Sequence, residues 1–78
     1  MINHQNMSPQ FAICLNNTDY PASLERRKVY QVLPDEDAAQ NGDIRVIDES
    51  GEDYLYPAAY FAVIALPPAV ERALLQAS

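Results

Sequence analysis

This sequence of 78 residues has one histidine and one cysteine, the side chains most often used for acid–base and thiol chemistry. His4 is the only histidine and occupies a polar segment that offers no partner for acid–base work. Cys14 is the only cysteine, and no cation adjacent in sequence lowers the pKa of its thiol. We therefore expect Cys14 to be a buried structural thiol, and we expect no catalytic residues and no enzymatic activity.

Acidic residues could bind a cation, and two segments place several of them close together. Asp35, Asp37 and Asp43 superficially suggest a calcium loop, but Ala39 stands where the EF-hand pattern requires an oxygen ligand. The acidic run at 48–53 is typical of a solvated hairpin. Only two glycines are present, which excludes a glycine-rich phosphate-binding loop. The sequence predicts neither a metal site nor a cofactor.

The charge of the chain bears on nucleic-acid binding. The formal net charge is −6, from 11 acidic and 5 basic residues. Such a chain repels phosphate backbones at long range, which makes nucleic-acid binding unfavourable. Basic residues are nevertheless unevenly placed, and a possible basic patch consists of Arg26, Arg27, Lys28 and Arg45. The simpler interpretation is that these are solvated residues that aid solubility.

Length and hydropathy limit the chain to one small domain at most. A single cysteine cannot form an intramolecular disulfide, which favours a reducing compartment. Neither a signal peptide nor an apolar run of about 18 residues is apparent. We therefore predict a cytoplasmic location, in a bacterial type of cytoplasm, and no contact with a membrane.

Hydrophobic periodicity predicts five short strands separated by turn-rich segments. Residues 1–10 are polar and are interpreted as a flexible N-terminal arm, whereas 11–66 form the folded domain. The predicted strands are 11–15, 28–33, 44–47, 54–56 and 61–66. In the first strand we expect one face to carry Phe11, Ile13 and Leu15, with Cys14 on the other. The predicted interior contains Ile13, Tyr30, Val32, Val46, Phe61 and either Leu55 or Tyr56.

Turns and helices complete the predicted order of elements. Asp35 is expected to cap one helical turn that ends at Asn41-Gly42. Gly51 suits the left-handed position of a tight hairpin. Pro68 suits the first turn of a C-terminal helix within residues 67–78, whose apolar stripe is Val70, Ala73, Leu74 and Ala77.

The order of these elements and the lengths of their loops resemble those of Src-homology-3 (SH3) domains over roughly residues 11–64. The sharpest match is Tyr56-Pro57-Ala58-Ala59-Tyr60-Phe61, because SH3 domains place a similar hydrophobic–Pro–small–small–Tyr–hydrophobic turn before their final strand. A second match is Leu24, followed by basic residues and by Val29-Tyr30-Gln31-Val32-Leu33. The resemblance implies a mainly β, five-stranded SH3-like barrel with a one-turn helix before the last strand. The short C-terminal α-helix is an addition to that barrel.

The resemblance also implies binding of a partner protein, although the family's groove for proline-rich peptides is only partly present. Pro57 and Tyr60 match that groove, but the chain has no tryptophan, and Asp43 and Ile44 open the third strand. A conventional polyproline site is therefore disfavoured, because such recognition depends on aromatic rings. Tyrosine is common at interfaces, so the candidate partner-binding residues are Tyr20, Tyr54, Pro57 and Tyr60. Ordinary packing of these rings is the alternative.

We expect the protein to be a noncatalytic interaction module or a small regulatory or accessory subunit. One alternative is a nucleic-acid-associated small barrel, which the acidic balance opposes. A second alternative is a small-ligand-binding protein or an enzyme, which would require a deep pocket with converging polar groups. The sequence identifies neither the partner nor the oligomeric state.

The C-terminal helix has two possible destinations. Isolated helices below about 12–15 residues are marginal in water, so its apolar stripe must dock if the helix is ordered. It either covers an open end or edge of its own barrel, or it packs on a second copy or on another protein. In the second case Leu75 would widen the contact.

Overall fold

The computed structural model describes residues 10–76, which form five strands, two α-helices and one 3-10 turn. The strands are β1 (Gln10–Cys14), β2 (Val29–Leu33), β3 (Asp43–Ile47), β4 (Asp53–Pro57) and β5 (Phe61–Ile64). Helix α1 is Glu36–Gln40, the 3-10 turn is Ala58–Tyr60, and helix α2 is Pro68–Gln76. Gln10 begins β1, and the rest of the predicted N-terminal arm, with His4, lies outside the described residues, as does Ala77.

The five strands form one antiparallel sheet in the order β4-β3-β2-β1-β5. The prediction of a mainly β chain with five strands, a 3-10 turn and a C-terminal helix is confirmed. The predicted closure into a barrel is wrong, because β4 and β5 are the two edges of the sheet and do not pair within the described residues. Pro57 ends β4 and has no N–H to donate, and the 3-10 turn then carries the chain to the far side of β1.

The main core cluster lies on one face of the sheet and follows most of the predicted positions, whereas Phe11 is buried on the other face at 3% exposure. Its buried cluster consists of Ala12, Cys14, Leu24, Tyr30, Val32, Val46, Tyr56 and Phe61. Tyr56 rather than Leu55 enters the core, and Leu55 remains 44% exposed. Ile13 is only partly buried, so its predicted place in the interior is wrong.

The core-facing side of β1 is the opposite of the one expected from residue size. Ala12 lies opposite Tyr30 on β2, and Cys14 lies opposite Phe61 on β5. Small side chains on β1 leave room for these two rings, whose centroids are 6.4 Å apart with the planes nearly perpendicular. Cys14 is fully buried, as expected, and this burial raises the pKa of its thiol. The thiol is therefore a poor nucleophile at neutral pH.

The helix cap and the two glycine turns predicted before and after β3 are confirmed. Asp35 caps α1 by accepting a hydrogen bond from the backbone N–H of Ala38 at 2.9 Å. Gly42 follows the helix with a φ of 78°, and Gly51 has a φ of 84° in the β3–β4 hairpin. Both values lie in the left-handed region that glycine adopts without steric cost.

Arg27 adopts the left-handed backbone conformation without being glycine, with a φ of 71°. Its N–H donates to the carbonyl of Cys14 at 2.7 Å, which holds the turn before β2 in this conformation. Because left-handed φ is costly for residues with a Cβ, we expect Arg27→Gly to raise the free energy of unfolding by about 0.5–1 kcal/mol. Urea denaturation measures the change. Arg26→Gly is the matched control for lost charge, and an equal gain there would contradict the conformational explanation.

Helix α2 has the predicted bounds, and its side chains are only partly covered. None of its residues is buried, and Val70, Leu74 and Leu75 are each 42–43% exposed. Both predicted destinations, its own sheet or a second copy or another protein, therefore stay predictions.

Deletion of residues 68–78 tests the role of α2 in stability. Because the helix buries no side chain, we expect deletion to change the free energy of unfolding by less than about 1 kcal/mol. Denaturation at several protein concentrations provides the measurement. A large loss that is independent of concentration would instead show that α2 caps its own sheet.

Candidate protein-interaction surface

The long loop between β1 and β2 is folded by its own polar groups. Asn16 accepts hydrogen bonds from the backbone and hydroxyl of Thr18, at 2.8 and 2.7 Å. The Asn17 side chain donates to the carbonyl of Leu24 at 3.0 Å, which ties the start of the loop to its end. The turn-rich composition found in the sequence thus builds a compact loop. It presents Asp19 and Tyr20 next to one end of the sheet.

The 3-10 turn is attached to its neighbours at both ends. Pro57 precedes it with a φ of −59°, the value that the pyrrolidine ring imposes. The N–H of Ala58 donates to the carbonyl of Gly42 at 2.9 Å. The carbonyl of Tyr60 accepts from the N–H of Leu15 at 2.7 Å and from that of the next residue at 3.3 Å. These bonds place Tyr60 beside the start of the long loop.

Tyrosine rings from the loop and the turn meet at this point. The rings of Tyr20 and Tyr56 are 4.8 Å apart with planes at 87°, and those of Tyr20 and Tyr60 are 6.1 Å apart with planes at 64°. Edge-to-face rings at these distances attract one another beyond simple burial. The hydroxyl of Tyr60 donates to the carboxylate of Asp19. We call the exposed part of this group the tyrosine surface and define it as Asp19, Tyr20 and Tyr60, together with Leu15 and Pro57, which adjoin Tyr60 and its turn through the backbone.

The tyrosine surface includes three of the four predicted partner-binding residues. Tyr20, Pro57 and Tyr60 are partly exposed. Tyr54 lies elsewhere: it is 50% exposed near the β3–β4 hairpin, where its hydroxyl donates to Glu52 at 3.2 Å. Within the described residues its ring does not stack on the other tyrosines.

Two members of the surface were missed by sequence reasoning. Leu15 is 54% exposed, and its predicted place on one face of β1 with Phe11 and Ile13 gave no sign of a binding role. Asp19 is 41 positions from Tyr60 in sequence, so no local spacing could reveal their hydrogen bond. The only available signal was the position of Asp19 beside Tyr20 in the long loop.

The surroundings of the tyrosine hydroxyls at this surface keep them protonated. The hydrogen bond to Asp19, with smaller effects of burial and of the same carboxylate charge, raises the pKa of Tyr60 above its usual value. Beneath the surface, burial and a hydrogen bond to Asp48 raise the pKa of Tyr56 to about 12. Both phenols are therefore neutral hydrogen-bonding groups at physiological pH.

The possible basic patch is not assembled as one surface. The ammonium of Lys28 lies 2.6 Å from Glu49, and Arg45 pairs with Asp35 and Asp53, each at 2.8 Å. Leu33 at the far end of β2 faces Arg45, so roughly 16 Å of strand separates Arg45 from Lys28. Among these four residues only Arg26 and Arg27 form no ion pair within the described part of the chain, and two free cations weaken the nucleic-acid alternative.

Metal-binding clusters and membrane-spanning helices are absent from the part of the chain that the structure describes. Across residues 10–76, no three His, Cys, Asp or Glu side chains are grouped so that they could hold a metal ion. No helix within that range is long and apolar enough to cross a membrane. The arrangement at the tyrosine surface can form apolar contacts and hydrogen bonds but has no activated nucleophile.

Comparison with known proteins gives no match, so the proposed function rests on the geometry of the chain. No family model, no curated protein and no solved structure matches it.

Proposed function

We propose that this protein is a noncatalytic interaction module of SH3-like architecture that binds a partner protein through the tyrosine surface. The observation that carries the proposal is the meeting of Tyr20 and Tyr60, which come from separate segments and are partly exposed side by side. Rigid tyrosine rings supply a large contact area at low entropic cost, which is why they are frequent at binding sites.

The path of the chain supports the SH3-like part of the proposal. Along the chain, four strands are followed by the 3-10 turn and a fifth strand, which is the order of elements on which the sequence resemblance rests. The 3-10 turn precedes β5 at the Pro57–Tyr60 segment that carried this resemblance. The sheet is open, so the proposal concerns the order of elements along the chain and not a closed barrel.

The chemistry of the surface indicates what a partner must offer. Leu15 and the two exposed rings provide apolar area, and the Asp19 carboxylate adds a charged acceptor at the edge. A partner segment with apolar side chains and a donor for Asp19 would satisfy all of these groups. The free and buried Cys14 supports the cytoplasmic setting that we propose for this interaction.

Affinity capture with three versions of the protein tests the proposed function. The wild type, Tyr60→Ala and Tyr54→Ala are each used as bait in the cells that produce the protein, and the captured proteins are quantified by mass spectrometry. We expect Tyr60→Ala to weaken binding of the specific partner by about 30-fold or more, as for an aromatic anchor worth 2 kcal/mol. Tyr54→Ala removes an exposed tyrosine outside the surface and should have little effect.

A second substitution separates the ring of Tyr60 from its hydroxyl. Tyr60→Phe keeps the apolar ring and removes the hydrogen bond to Asp19, so we expect most of the affinity to remain. Thermal unfolding of each variant shows whether the fold persists. Capture that is the same for wild type, Tyr60→Ala and Tyr20→Ala would exclude the tyrosine surface as the binding site.

A further inference from the structure

A second concave surface lies at the open end of the sheet. It is a groove of about 260 Å³, and its apolar floor is formed by Val32, Ile44 and Val63, with Ala39 of α1 and Ala58 of the 3-10 turn at its sides. Gln10 also lines it, whereas Leu15 at the other end of β1 belongs to the tyrosine surface. The two surfaces are therefore separated by roughly 16 Å along β1.

The groove exists because the sheet does not close. Val63 follows Phe61 on the same face of β5, but Phe61 is buried at 8% exposure and Val63 is 61% exposed. No strand covers the β5 edge within the described residues, so the apolar face of the sheet continues into solvent. Uncovered apolar area in a concave site is typical of a surface that binds another chain.

Charge on the rim of the groove is predominantly negative. Asp35, Asp43 and Arg45 line it, and Glu36 lies three positions before Ala39 on the same side of α1. The single cation, Arg45, is already bound by two carboxylates, those of Asp35 and Asp53. In the described part of the chain, neither Glu36 nor Asp43 forms an ion pair. Asp43 on the rim, and Glu36 one helical turn from the lining residue Ala39, thus lack a cationic partner.

We propose that this groove is a second interaction surface, independent of the tyrosine surface, that binds a basic amphipathic segment of a partner protein. Apolar side chains of that segment cover Val63 and the floor, and its lysines or arginines face Glu36 and Asp43. Amphipathic segments in grooves are a common mode of protein recognition, and complementary charge orients them.

Charge also argues against helix α2 of a second copy as the occupant. Val70 and Leu74 form the apolar stripe of α2, and Glu71 flanks that stripe. The only cation of the helix, Arg72, is two positions from Val70 and so lies on the opposite side. Docking α2 in the groove would bring Glu71 towards an acidic rim and leave Arg72 in solvent.

Two synthetic peptides test the proposal on the full-length protein. Each has about 14 residues with leucines along one helical face, and the flanking positions are lysine in one peptide and glutamate in the other. Titrations followed by NMR of the isotopically labelled protein give both affinity and location. We expect the lysine peptide to shift the amides of Leu33, Ala39 and Val63 and to bind at least tenfold more tightly than the glutamate peptide. Its affinity should fall as salt increases.

Substitutions in the groove are compared with matched changes elsewhere. Asp43→Asn should weaken binding of the lysine peptide by about two- to fivefold. Glu25→Gln, which removes an exposed carboxylate from the turn before β2, should leave that binding unchanged. Val63→Ser should weaken it further and, because Val63 is exposed, should leave the fold intact by circular dichroism. Tyr60→Ala should leave peptide affinity unchanged, which distinguishes this proposal from the proposed function.

Several results would overturn the proposal. These are the absence of binding, equal affinity for the two peptides, shifts centred on Tyr60, or unchanged affinity in Val63→Ser. Self-association that Val63→Ser abolishes would also overturn it, because a second copy would then cover the groove.

Discussion

Leu24→Ala should lower the free energy of unfolding by about 2–4 kcal/mol, the range for removal of a fully buried leucine side chain. Leu24 is 1% exposed and is one of the largest fully buried side chains in the described chain. Its N–H donates to the carbonyl of Tyr20 at 3.0 Å, and its own carbonyl accepts from Asn17. The substitution therefore leaves a cavity at the residue that attaches the long loop to the core.

Leu15→Ala is the matched control, because it removes the same atoms from a leucine that is 54% exposed. We expect that change to cost less than about 1 kcal/mol. Urea denaturation with comparison of midpoints and slopes measures both variants. Equal losses would show that Leu24 does not anchor the loop. If the anchoring is correct, Leu24→Ala should also weaken partner binding at the tyrosine surface, since Asp19 and Tyr20 lie on this loop.

Asp48→Ala should destabilise the protein by about 2–3 kcal/mol. Asp48 is 6% exposed, and its carboxylate accepts hydrogen bonds from the N–H and hydroxyl of Ser50 at 2.9 and 2.6 Å. Its other oxygen accepts from the buried hydroxyl of Tyr56 at 2.5 Å. Alanine would leave that hydroxyl and the hairpin turn without their acceptor, and unsatisfied buried groups are costly. Chemical denaturation at pH 7 measures the loss.

The same carboxylate predicts how stability changes with pH. Burial alone would raise the pKa of Asp48, but hydrogen bonds from the side chain of Ser50, from Tyr56 and from the backbone of Ser50 lower it below its usual value. The unfolded chain therefore takes up this proton first as the pH falls. The stabilisation is complete above about pH 4 and is lost as the pH falls through the lower pKa of the folded state.

Comparison with an isosteric variant isolates the contribution of Asp48. Asp48→Asn keeps the shape of the side chain but cannot titrate, so its stability should fall less steeply than that of the wild type below about pH 4. Parallel pH dependence in the two proteins would contradict the assigned role of Asp48. Asp35→Asn is not a suitable control, because the pKa of Asp35 is also lowered, by hydrogen bonds from Ala38 and Arg45.

Local sequence signals predicted the elements well. Asp35 and Gly42 bracket α1, Pro68 begins α2, and the Pro57–Tyr60 segment forms the turn before β5. Each of these signals acts through the residue's own φ or through a hydrogen bond to a near neighbour. Such preferences operate wherever the segment lies in the fold.

The candidate surface was predictable only in part, because its residues come from distant segments. Tyr60 and Pro57 could be identified from the turn, but the choice of Tyr20 over Tyr54 as their neighbour depends on how the long loop folds back. Asp19 entered the surface for the same reason.

The sequence by itself determined the type and order of the elements, the capped turns and the acidic charge, because composition and local backbone preferences decide them. The tertiary structure decided which face of β1 joins the main core cluster, since Ala12 and Cys14 make room for rings on neighbouring strands. It also decided that the sheet stays open, with Val63 exposed beside an acidic rim. These features depend on strand pairing and on packing between residues far apart in the chain. The alternation of side chains along a strand cannot supply them, because it does not say which of the two faces is buried.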